Sequence, residues 1–358
     1  MTSQQAKPEA EQGTEPESEQ VAESEVEPVT ASNMRAVTQR AYGSADVLSI
    51  ETVDRPAIAA DEVLIEVVAA GLDRGVWHLM TGLPYLIRIM GYGFRKPKNP
   101  VPGADVAGRV VEVGPEVTRF AVGDEVFGIA EGSFAELAAA KETKLVHKPD
   151  NISFEQAAVS TISGITALQA LTTVGRIEPG QQVLVIGASG GVGSFAVQLA
   201  KALGATVTGV ASTAKLDAVR ALGADDVIDY TTTRIDDGGR RYDLIIDTGG
   251  ANELARMRRA LTPAGTLVIV GAEGGDRVTG GIGRQLRAAL LSPFIKQRLA
   301  FFVNRESLEF IEPLAKHLAD GTVVPAIGQR FTLDEVAVAI RQMEAGALCT
   351  KSVITLQS

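Results

Sequence analysis

The spacing of apolar and polar positions changes character part-way along this chain. From Met34 onward, short β-rich runs, V-L-I-E-V-V (63–68), G-R-V-V-E-V-G (108–114) and D-E-V-F-G (124–128), stand between Gly, Pro and Asp. Runs of that kind predict a strand-rich, barrel-like unit. Residues 84–102, rich in Pro, Gly, Arg and Lys and carrying Tyr85, Tyr92 and Phe94, read as a long surface loop between them. After Pro149 strands and helices alternate. Q-Q-V-L-V-I (181–186) is the continuous apolar run that a parallel strand covered on both faces needs. Phe195, Leu199 and Leu203 then recur at i, i+4 and i+8, which predicts a helix from near Ser194 that stops at Gly204. A strand at 206–210, a helix carrying Leu216, Val219 and Leu222, strands at 226–230 and 242–248, a helix near 251–261 and a strand at 265–271 follow. The fold class is therefore α/β, a doubly wound parallel sheet joined to a β-rich domain. Residues 304–358 read as helices and a terminal V-I-T-L strand, with no internal repeat.

Length and composition refine this picture. A chain of 358 residues exceeds what one core usually serves, so two domains are expected. Cys349 is the only cysteine, which excludes an intramolecular disulfide framework and a thiolate metal cluster built from this chain alone. Of the net charge of −10, residues 1–33 contribute −7, from eight Glu and one Lys, which leaves −3 for the rest. That first segment has no aromatic residue and is expected to be a disordered, solubilising acidic tail, with recruitment of a partner as the competing reading. The near-balanced remainder gives no electrostatic case for nucleic acid. No stretch reaches the roughly 20 apolar residues of a membrane span, and the N-terminus lacks the order of a secretion signal. The expectation is a cytoplasmic protein with no membrane partner.

The strand at 183–186 runs into G-A-S-G-G-V-G (187–193), in which Gly187, Gly190 and Gly193 keep a three-residue spacing. Strand, glycine loop, helix and second strand in register form the context of a Rossmann dinucleotide site. There the first glycine permits the tight turn, the second lets amides approach a pyrophosphate, and the third packs helix on strand. Gly187, Ser189, Gly190, Gly191, Val192 and Gly193 are the candidate cofactor residues. The end of the second strand, G-V-A-S-T-A-K (209–215), lacks the acid that accepts the ribose hydroxyl of NAD. Ser212, Thr213 and Lys215 instead offer hydroxyls and a cation suited to a 2′-phosphate, which favours NADPH. The competing reading of Lys215 is a lysine on a solvated helix face.

One Cys and the scattered His78, His147 and His317 do not make a metal site, so no metal is expected. A Tyr92–Lys96 pair has Tyr-x-x-x-Lys spacing but lies in the Gly- and Pro-rich loop, away from helical geometry. With neither metal nor obvious acid, hydride should go to acceptors that delocalise their own developing charge, quinones and α,β-unsaturated carbonyls.

The motifs G-A-S-G-G-V-G-S-F-A-V-Q-L-A-K-A-L-G-A, L-G-A-D-D-V-I-D-Y, Y-D-L-I-I-D-T, K-N-P-V-P-G-A-D-V-A-G-R-V-V-E-V-G and G-D-E-V-F-G together resemble the zinc-independent quinone oxidoreductase branch of the medium-chain dehydrogenases. The resemblance spans about 34–358. It implies a GroES-like catalytic domain of 34–153 plus 304–358, with the nucleotide domain inserted as 154–303, and a homodimer. It also implies that Ser212, Lys215 and Tyr230 meet the adenosine 2′-phosphate end of the cofactor, that Thr166 and Gly271 meet the nicotinamide end, and that Lys351 lies close to the cofactor. Asp73 departs from the Asn usual in that branch, and Ala104–Asp105 stand where zinc enzymes carry His-Glu. Asp73 is a candidate polar or proton-handling group, with a helix N-cap as the competing reading. Tyr85 and Trp77 are candidate walls of an aromatic-accepting pocket. An alcohol dehydrogenase, or an NADPH-binding protein that acts through a partner without catalysis, would be the remaining alternatives.

Overall fold

The structure is a computed structural model, described here for residues 1–2, 32–249, 252–271 and 277–356. The acidic tail expected at 1–33 lies almost wholly outside the described residues. Among the described residues fifteen strands form three sheets. The first is a ribbon of β1 (Asn33–Gln39) and β2 (Leu48–Asp54). The second is built on β3 (Glu62–Leu72), whose apolar residues face both ways, so that it is almost fully buried. On β3 lie β4 (Asp105–Val113), β6 (Leu137–Lys141) and, from the far end of the chain, β15 (Lys351–Thr355). The sheet continues through β5 (Glu125–Ile129) to β7 (Leu145–His147) on one side, and to β14 (Ile327–Thr332), parallel to β15, on the other. A helix, α1 (Arg74–Thr81), follows β3 directly.

The third sheet is parallel throughout, from β8 (Gln182–Ile186), β9 (Thr206–Ala211), β10 (Asp226–Asp229), β11 (Tyr242–Asp247), β12 (Leu261–Ile269) and β13 (Arg298–Phe301). Its order is β10-β9-β8-β11-β12-β13, the doubly wound order with its reversal between β8 and β11. Ligands of such sheets bind beyond the carboxyl ends of the strands at that reversal. Helices α2 (Phe154–Ala158) and α3 (Thr161–Gln169) lead into this domain, and α4 (Gly191–Ala202), α5 (Leu216–Ala221), α6 (Leu254–Ala260) and α7 (Ile282–Leu291) connect its strands. Helices α8 (Leu308–Ala319) and α9 (Val336–Glu344) bring the chain back to the β3 sheet. One apolar cluster runs from Ala107 and Phe127 through Ile165 and Leu168 to Phe195, Leu199 and Leu314. The two sheets thus share a continuous core through α3, α4 and α8.

Candidate functional site

The glycine loop is shaped by contacts that only glycines allow. Gly187 takes the left-handed conformation (φ 78°) as the chain leaves β8, and the Gly187 and Ala188 amides both donate to the carbonyl of Val210 on β9. A Cβ on Gly193 would sit 2.1 Å from the Gly187 carbonyl oxygen, so the first turn of α4 lies directly against the strand end. The helix begins at Gly191, earlier than the Ser194 that apolar spacing suggests, because Gly191, Val192 and Gly193 are themselves helical. Gly190 is the N-cap and supplies no side-chain acceptor, so the first amides of α4 keep no side-chain partner and the positive end of the helix dipole points out of the loop. At β11, Thr248 Oγ1 donates to the Ile186 carbonyl across the reversal. Gly271, beyond β12, packs on the Thr248 carbonyl so closely that a Cβ would sit 2.5 Å from it. Beneath it Asp247, fully buried, pairs with Arg284 at 2.6 Å, a contact between β11 and α7 that no local pattern announces.

At the end of β9, Ser212 caps the short turn 213–215 and the Tyr230 amide donates to the Ala211 carbonyl, so both stand at one strand end. The Tyr230 ring is exposed. Lys215 Nζ donates to the carbonyls of Gly346 and Leu348, at 3.0 and 2.7 Å. It is therefore not on a solvated helix face, and it ties the nucleotide domain to the turn between α9 and β15. Asp229 also reaches this corner, but the Thr213 and Thr231 hydroxyls and the Thr231 amide hold its carboxylate in its own turn and keep it below the usual carboxylate range.

The same return segment passes under the glycine loop. The Thr350 amide donates to the Ser189 carbonyl at 2.7 Å, and the next residue, Lys351, is 1 % exposed. Its ammonium donates to Ser163 Oγ on α3 at 3.0 Å and lies 3.9 Å from Asp105 Oδ2 on β4. A Cβ on Gly191 would lie 3.2 Å from both Lys351 Cδ and Ser163 Oγ, which places the buried lysine against the first turn of α4. Asp105 is wholly buried, and its Oδ1 accepts from the Ile162 amide at 2.8 Å. Burial pushes its carboxyl up to about 7; the Lys351 charge opposes that shift and the nearby Asp73 charge adds to it. Asp73 is the N-cap of α1: its Oδ1 accepts from the Val76 amide at 3.2 Å, while Oδ2 is buried without a hydrogen bond among the described residues. The cap role and a buried carboxylate oxygen with no hydrogen bond among the described residues thus coexist in one side chain. Thr166, mostly buried on α3, donates to the Ile162 carbonyl at 2.6 Å.

Two family models match the chain, an alcohol dehydrogenase GroES-like domain over 59–150 and a zinc-binding dehydrogenase over 222–354. The 2-methylene-furan-3-one reductase of Solanum lycopersicum is 36% identical over 331 residues, covering 87% of this chain and 76% of that protein. The chain belongs to the quinone oxidoreductase branch of the medium-chain dehydrogenases. An NADPH-dependent alkenal/one oxidoreductase of Arabidopsis thaliana is 34% identical over 331 residues, covering 87% of this chain and 77% of its own. Among solved structures, the quinone oxidoreductase of Coxiella burnetii superposes with a TM-score of 0.80 at 26% identity, covering 91% of this chain and all of that one. The Escherichia coli quinone oxidoreductase complexed with NADPH gives 0.76 at 25% identity, covering 90% of this chain and 99% of that one.

A zinc ion in a medium-chain dehydrogenase needs a gathered set of His, Cys, Asp or Glu donors. The positions that could face a metal are committed elsewhere: Asp73 caps α1, Asp105 pairs with Lys351, and His78 Nδ1 bonds the Leu83 carbonyl. Among the described residues no three His, Cys, Asp or Glu side chains gather. These residues do not fit a zinc ion. Over the cleft, the 84–102 loop crosses to the nucleotide domain, where the Tyr85 amide donates to the Arg277 carbonyl and that of Leu86 to Val278. The Tyr85 ring is partly exposed beneath the Arg88 guanidinium, which is itself stacked on Tyr42. Trp77 does not share that position: its indole N–H donates to Glu344 on α9 at 2.6 Å, within the β-rich domain.

Proposed function

We propose that this chain is an NADPH-dependent oxidoreductase that reduces quinones or α,β-unsaturated carbonyls without a metal ion. The observation that carries this reading is the glycine loop closed at the sheet reversal, with the buried Lys351–Ser163–Asp105 cluster against its helix. When bound, NADPH supplies a hydride from its nicotinamide ring. The amides of Gly190, Gly191, Val192 and Gly193 and the α4 dipole receive the pyrophosphate. Ser212, Lys215 and Tyr230 line the 2′-phosphate end, with Lys215 exchanging carbonyl partners for the phosphate. Ser189, Thr166, Gly271 and Lys351 border the nicotinamide end. Asp73 and Tyr85 stand on the acceptor side, where an enone or quinone delocalises the incoming charge as enolate or phenolate and so needs positioning more than a Lewis acid. The names of the tomato reductase and the Arabidopsis alkenal/one oxidoreductase accord with that acceptor class. The same reading divides the chain into a catalytic domain of 34–153 with 304–358 and a nucleotide domain of 154–303, in a homodimer that works in the cytoplasm.

The test is oxidation of NADPH, followed by absorbance, with 9,10-phenanthrenequinone and with a simple enone, beside NADH and in a chelator. Turnover that resists the chelator and prefers NADPH is expected. Lys215→Ala should then raise the KM for NADPH about tenfold, the equivalent of roughly 1.4 kcal/mol, and leave that for NADH nearly unchanged. Equal effects on both cofactors would remove the 2′-phosphate role.

A further inference from the structure

The chain is acidic overall, yet two of its segments hold no acid. Between Asp73 and Asp105 there are five Lys or Arg and no Asp or Glu, and between Asp276 and Glu306 there are six and none. The fold joins these segments: the Tyr85 and Leu86 amides bond the Arg277 and Val278 carbonyls, and a Cβ on Gly280 would lie 3.1 Å from Pro84. Both segments also expose large apolar side chains. On the loop, Ile89 and Met90 stand out and Phe94 is 73% exposed, with Arg95, Lys96 and Lys98 exposed next to it. On α7 and the turn after it, Leu286, Leu290 and Phe294 recur at i, i+4 and i+8, the last 85% exposed, with Arg287 and Lys296 exposed among them. Beyond Phe294 lies an open cleft of about 540 Å³ lined by Arg258, Arg259, Ile295 and Lys296.

We propose that these two segments form a docking surface for an anionic lipid membrane. Aromatic and aliphatic tips with interspersed cations are the composition of interfacial anchors, which insert shallowly and take headgroup phosphates on Lys and Arg. Highly exposed apolar tips beside exposed cations suit a fluid anionic surface. A second copy meeting the same face across a two-fold axis would set cations against cations. Among the described residues no helix is long and apolar enough to cross a membrane, so the contact is peripheral. The expectation of no membrane partner, drawn from the lack of a span, is revised to that extent. This inference does not depend on the acceptor chemistry proposed above.

The experiment is flotation of the full chain with vesicles of phosphatidylcholine alone or mixed with phosphatidylglycerol, across a salt series. Flotation with the anionic vesicles only, weakening as salt rises, is expected. Lys96→Glu with Lys98→Glu should lower the apparent affinity by about tenfold or more, and Phe94→Ser with Phe294→Ser should do likewise, while NADPH binding and the thermal melt stay unchanged. If either pair fails to fold, the wild-type salt series decides alone. No flotation with anionic vesicles, or flotation indifferent to salt and to both variant pairs, would overturn the proposal. So would self-association in the absence of lipid that Phe94→Ser with Phe294→Ser abolishes, since that places a second copy on this face.

Discussion

Lys351→Met should lower the unfolding free energy by about 1–2 kcal/mol at pH 8, because the Asp105 carboxyl, already raised to about 7, takes up a proton once its cation is gone. Asp105 is fully buried, and with the ammonium gone it keeps, among the described residues, only the Ile162 amide at Oδ1. Adding Asp105→Asn to Lys351→Met should recover most of the loss, because no carboxyl then has to take up a proton. The pH dependence has a definite sign. A carboxyl whose folded pKa is raised to about 7 binds its proton more tightly in the native than in the unfolded state. The wild type therefore loses stability as pH climbs from about 4 to 7 and levels off above, and Asp105→Asn should flatten that slope. In Lys351→Met the falling window extends above pH 7, since the opposing cation is removed. Denaturant midpoints at pH 5, 7 and 8 check all three; a Lys351→Met variant as stable as wild type at pH 8 would contradict the pairing.

Gly193→Ala should abolish measurable NADPH binding. Its Cβ would meet the Gly187 carbonyl oxygen at 2.1 Å and Ala188 Cα at 2.8 Å, both backbone atoms that cannot swing aside. Either α4 lifts off the strand end, which opens the loop, or the strand end shifts. A stability loss of about 1–3 kcal/mol should accompany it, as overpacking commonly costs. Gly190→Ala is the matched control, since the nearest atom to its Cβ is the Gly187 carbonyl oxygen at 3.2 Å. That variant should fold normally. Both variants should weaken cofactor binding, since Gly190 lies where the pyrophosphate approaches, but only Gly193→Ala should lower the thermal melt, and equal melts would contradict the close helix–strand contact.

The parallel sheet was legible because each of its central strands is buried on both faces, and V-L-V-I, V-T-G-V and L-I-I-D show it as unbroken apolar runs. The glycine loop was legible because its geometry is local. The edge strand β13, R-L-A-F, is only four residues long and shows no period of its own, and α2 and α3 lie in a small-residue stretch with weak periodicity. The buried cluster is harder still. Asp105, Ser163 and Lys351 meet only because β15 pairs with β3 beside β4 while α3 packs over them, a consequence of topology that no spacing encodes. The same holds for Lys215: its residue type suggested a phosphate, but its carbonyl partners lie in the turn after α9. Nor does spacing along the chain announce that helix α1 turns the Trp77 indole N–H toward Glu344 on α9.

The reaction proposed for this chain is hydride transfer from NADPH to an activated acceptor without metal. Its most direct test is NADPH carrying deuterium at nicotinamide C4, incubated with metal-stripped protein and a simple enone, with mass analysis of the product. One deuterium in the reduced carbonyl compound, from one face of the cofactor only, is the predicted result. Product without label, or no product until zinc is restored, would contradict it.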